Sequence, residues 1–158
     1  MSPNDVDERG TANRSLYDRD FYAWANEQAG LLRAGKLSEA DIEHIAEEIE
    51  SMGKSEKREL VSRLTVLLLD MLKWCYQPDL RGKSWRLTLE EQRDELETHL
   101  ADNPSLKSTL DNSVVVAYRR AILGATRETD IDRSVFPVTC PWSADQMMDR
   151  NFYPEAIY

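Results

Sequence analysis

The chain has 158 residues, 41% of them hydrophobic and 31% charged, with 6 Gly and 6 Pro. A chain of that length suits one domain, burying roughly 70% of its unfolded surface, and the composition excludes collagen-like, low-complexity and globally disordered classes. Twenty basic against 29 acidic residues give a net charge of −9, which opposes general binding to a phosphate backbone.

Residues 1–15 are polar and lack periodicity, so they read as a disordered leader ahead of a single helical domain, 16–158. They hold no apolar signal segment, and apolar runs such as 66–69 are far short of the roughly 20 residues that span a bilayer. The expectation is a cytoplasmic protein with no membrane partner.

From 18 to 34, Phe21, Tyr22, Trp24, Ala25, Ala29, Leu31 and Leu32 recur at helical spacing, and Gly35 supplies the stop. A second helix starts where Ser38 precedes Asp41 by three residues, a capping arrangement. Its apolar stripe is Ile42, Ile45, Ile49 and Met52, and Gly53 ends or bends it. Ser55 reads as a fresh N-cap for a third helix over 55–77. There Leu60, Leu64, Leu67, Leu68, Met71, Leu72 and Cys75 form the main stripe, widened by Val61, Val66 and Leu69. A helix so apolar is either the centre of the domain or part of an oligomer interface.

Pro78 terminates that helix. Ser84 is expected to cap a fourth, running to about 102, with Trp85, Leu89, Leu96 and Leu100 inward. Pro104 opens helical signal that continues to about 129. Beyond Asp130 the pattern fails, apart from one short turn capped by Ser143 and Gln146. The aromatic tail NFYPEAIY is expected to fold back over the bundle or to dock on a partner. The fold expected is all-α: a bundle of about five helices with an extended aromatic C-terminal segment.

Several motifs fall in an ordered series. Leu16-Tyr17-Asp18, Phe21-Tyr22 and Leu31-Leu32-Arg33-Ala34-Gly35 come first, then DIEHIAEEIESMGKSEK at 41–57 and Leu72-Lys73-Trp74. Gln77-Pro78, Ser84-Trp85, Gln92-Arg93, Pro104-Ser105-Leu106, Phe136-Pro137 and Cys140-Pro141 complete it. Together these resemble a bacterial family catalogued as domain of unknown function 29, over about residues 16–155. The resemblance implies a helical fold and carries no assigned activity. The family pattern commonly has His where this chain has Asp70.

Chemistry-bearing residues are few. At about 100° per residue, Asp41, His44 and Glu48 lie within about 60° of one another on one helix flank. Glu95 and His99 form a similar flank on the fourth helix. If the stripes of those helices pack together, these five become a candidate set for iron, manganese or zinc, a divalent transition metal held by carboxylate and imidazole as in bundle proteins. Asp70 is a possible sixth. The plainer reading is a solvated acidic face, with Asp41 capping and His44 bonded within its own helix, and no cofactor. Two histidines exclude a zinc site with three His ligands.

Lys83-Ser84 after Gly82 lacks the second glycine of a phosphate loop, because Gln77 occupies its place. Residues 54–86 carry eight basic and four acidic groups (+4), while 36–53 and 87–112 are each −5. That segregation suits complementary packing between helices or protomers. Arg81, Lys83, Trp85 and Arg86 are the residues a nucleic acid would use, against the overall negative field. Cys75 reads as inert core and Cys140 as an exposed loop thiol, and no motif supports catalysis. The leading expectation is a non-enzymatic, self-associating or protein-interaction module. A metal-binding bundle with hydrolytic or redox activity is second, and a nucleic-acid or toxin–antitoxin type partner is third.

Overall fold

A computed structural model describes residues 15–158. The expected leader therefore lies, but for Ser15, outside the described residues. Among those described there are six α-helices, four of them long, and no strand. They are α1 (Leu16–Arg19), α2 (Phe21–Arg33), α3 (Ile42–Tyr76), α4 (Lys83–Asp102), α5 (Leu110–Thr129) and α6 (Ala144–Met148). The all-α expectation holds. The chain divides into two compact units, Met1–Gly53 and Lys54–Tyr158.

In the first unit, the expected 18–34 helix is split at Asp20, whose carboxylate accepts from the Ala23 N–H and opens α2. Gly35 ends this hairpin in the left-handed region, at φ 71°, as its position predicts. Ser38 does not cap the next helix. It lies in a 3-10 turn, Leu37–Glu39, and Asp41 takes the capping role. The Ile45 N–H bonds the Asp41 carbonyl at 3.0 Å, and Asp41 Oδ1 accepts from the His44 N–H at 3.5 Å.

The two helices expected on either side of Gly53 are one, the 35-residue α3. A single helical glycine costs only about 1 kcal/mol against alanine, and good helix formers on both sides offset it. Ser55, expected as an N-cap, therefore sits in the helix interior.

In the second unit, every residue of the main 60–75 stripe is buried, as is Val61, whereas Val66 stays exposed. Leu89, Leu96 and Leu100 of α4, Ala117, Tyr118, Ala121, Ile122 and Ala125 of α5, Phe136 and Met147 complete the core with them. The wide apolar surface is thus covered by the chain's own helices. Deleting a fully buried leucine such as Leu64 would cost about 2–5 kcal/mol. The helix expected to follow a Ser84 cap begins two residues earlier, at Lys83, after an extended Gly82 that offers no side-chain cap. The Ser143–Gln146 capping box forms as expected and starts α6.

The aromatic tail folds back on this unit. Ile157 N–H bonds the Cys75 carbonyl at 3.0 Å, and Cys75 Sγ donates to the Glu155 carbonyl at 3.1 Å. The Tyr153 ring packs against Trp74, with the guanidinium groups of Arg86 and Arg93 5.3 and 5.6 Å from its centre. Arg93 is buried, and its Nε donates to the Met147 carbonyl at 2.8 Å.

Candidate functional site

The first-unit motif builds a small polar cluster under an aromatic cover. His44 Nδ1 lies 2.7 Å from Asp41 Oδ2, and the Trp24 indole N–H donates to the same oxygen at 3.0 Å. Asp41 N–H in turn donates to the buried Gln28 side chain at 2.7 Å. Tyr17 stacks on the His44 ring, 4.0 Å between centres, and its hydroxyl donates to Glu48. Three helices' worth of side chains are fixed by these bonds, because Asp41 is both helix cap and acceptor.

The electrostatics follow from the contacts. The bond to Asp41 raises the His44 pKa, and the bond to His44 holds Asp41 below the usual carboxylate range. Accepting carboxylate Glu48 pushes the Tyr17 hydroxyl up to about 12. This is a satisfied cap with an oriented imidazole.

Of the five expected metal ligands, Asp41 and His44 meet, while Glu48 is engaged by Tyr17. In the second unit Glu95 pairs with Arg63, and His99 Nε2 lies 2.9 Å from the Glu56 carbonyl. Among the described residues no group of three His, Cys, Asp or Glu is arranged to hold a metal ion. Each expected ligand already has a partner within its own unit.

Of the nucleic-acid candidates, Arg81, Trp85 and Arg86 are likewise occupied. Arg81 Nε donates to the Trp74 carbonyl at 2.7 Å and Nη2 to the Pro154 carbonyl at 3.3 Å, with the guanidinium 4.7 Å from the Trp74 ring centre. Arg86 lies over Tyr153, and Trp85 carries the Lys73 ammonium at 5.2 Å. Lys83 is exposed. Burial raises the thiol pKa of both Cys75 and Cys140, which favours the protonated form over the nucleophilic thiolate. Cys140 is half-buried rather than exposed, its Sγ 3.4 Å from the Trp142 carbonyl.

Two features go beyond the sequence reading. The first is exposure of the unit-one stripe: Ile42 is 53%, Ile49 59% and Met52 62% exposed. The second is a cavity of about 250 Å³ lined by Asp70 and Lys73 of α3 and by Ser84, Trp85 and Thr88 of α4. Asp70 Oδ2 is shut off from solvent without a hydrogen-bond partner. Burial raises the Asp70 carboxyl to about 6, an effect that Lys73 opposes and Glu128 reinforces. The signal in the sequence was a lone carboxylate inside TVLLLDMLKWC, a setting where an ionised group pays for desolvation.

No curated protein and no solved structure matches this chain. Residues 16–153 match the family described as Domain of unknown function DUF29, which is most of the chain. The motif series and the helical architecture agree with that match, and the chain belongs to this family.

Proposed function

We propose that the protein is a non-enzymatic interaction module that pairs with a second copy of itself through the first half of α3. The observation that carries this reading is the exposed Ile42–Ile49–Met52 stripe, which with Ile45 spans about 80° of the helix surface. Burying such a stripe gains roughly 25 cal/mol per Å² of apolar area.

Symmetry supports a second copy as the occupant, since a two-fold axis covers the same apolar patch on both copies at once. Glu47, Glu50 and Lys54 lie on the far side of the helix, about 120–180° from the centre of the stripe, so no charge of theirs interrupts it.

Light scattering on the full chain across a hundredfold range of concentration tests this. The expected result is a dimer that dissociates on dilution, and that Ile49→Asp with Met52→Asp converts to monomer at all concentrations. A wild-type monomer throughout the range overturns the reading.

A further inference from the structure

We infer that the cavity beside Asp70 is a binding site for a small organic ammonium ion, such as a short primary amine. Nothing in this inference depends on self-association, since every lining residue belongs to the second unit.

Charge and donor–acceptor chemistry select the ligand. Lys73 Nζ is 3.2 Å from Glu128 Oε2 of α5, so these two groups cancel and leave Asp70 as the net charge of the site. Asp70 Oδ2 is an acceptor with no partner. Rotation about the terminal side-chain torsion, which is broad for Asp, exchanges its two oxygens. The Thr88 hydroxyl spends its proton on the Ser84 carbonyl at 3.0 Å, leaving lone pairs as its remaining capacity. Ser84 is released from the capping role its sequence position suggested, because the helix starts from Gly82.

The walls are therefore rich in acceptors, which suits the three N–H donors of an ammonium group. The Trp85 ring supplies an apolar face that already carries one ammonium, that of Lys73 at 5.2 Å. The alternatives fit less well. An anion would face the Asp70 carboxylate, and a hard metal ion needs several oxygen ligands where the cavity offers one carboxylate.

Titration calorimetry on the full chain, with methylammonium, ethanolamine and butylammonium as probes, is the test. Methanol, ethylene glycol, butanol and acetate at matched ionic strength serve as controls. The ammonium probes are expected to bind and the controls not. Affinity should fall about tenfold from pH 7 to pH 5 as Asp70 takes up a proton. Asp70→Asn should abolish binding. Should that variant fail to fold, carbon NMR of the wild-type Asp70 carboxyl reads the same contact, with a shift on adding ethanolamine as the expected result. Absence of binding by every ammonium probe, equal binding of the alcohols, binding retained in Asp70→Asn, or an unmoved Asp70 signal each overturns the proposal.

Discussion

Asp41 does three things with one carboxylate: it caps α3, orients His44 and accepts from Trp24. The residue types and their spacing exposed the flank but not these partners, because Trp24, Gln28 and Tyr17 reach it from other helices. The pH consequences carry opposite signs. The raised His44 pKa gives stability that is full below about 6.5 and lost as pH rises through the folded-state value. The lowered Asp41 pKa gives stability that is present above 3.8 and lost as pH falls. NMR titration should find His44 above 6.5 in the wild type and lower in Asp41→Asn; an unchanged value would remove Asp41 as the cause. Asp70 runs the other way. Its raised carboxyl pKa means stability falls as pH rises from about 3.8 to about 6. Denaturant unfolding at pH 7.5 should therefore find Asp70→Asn more stable than wild type, on the order of 1–2 kcal/mol after allowing for partial exposure. A less stable variant would show that the buried carboxylate has a partner.

At the scale of elements, apolar periodicity located α2, α4 and α5 and the buried half of α3, and proline marked where α3 stops. Junctions were harder to read. Gly53 sits where a break was expected, yet the helix passes through it. Glycine at the end of a helix and glycine within one look alike in sequence, and only the absence of a positive φ separates Gly53 from Gly35. A Cβ built at Gly53 meets nothing within 4 Å. Gly53→Ala, unfolded by denaturant at low protein concentration, should gain about 0.5–1 kcal/mol; a loss would show that α3 is bent there. Ser84 and Ser38 illustrate the same difficulty: Ser84 lies two positions past the Gly82 cap and Ser38 three before Asp41, so neither is the cap. Ser143 succeeded because Gln146 completes a reciprocal box.

For the whole molecule, the wide apolar surface expected over 55–77 pointed to a core element or an oligomer interface, and α3 uses that stretch as core. Its second half is enclosed by α4, α5 and the returning tail. Its first half keeps Ile42, Ile49 and Met52 in water. Sequence patterning shows that a face is apolar but not whether the same chain covers it, which is why the two possibilities could not be separated beforehand. Sedimentation velocity of the wild type beside Ile49→Asp is the most direct measurement of the proposed dimer. The wild type should sediment as a dimer at high concentration and Ile49→Asp as a monomer; a variant that associates as tightly as the wild type would contradict pairing through this stripe.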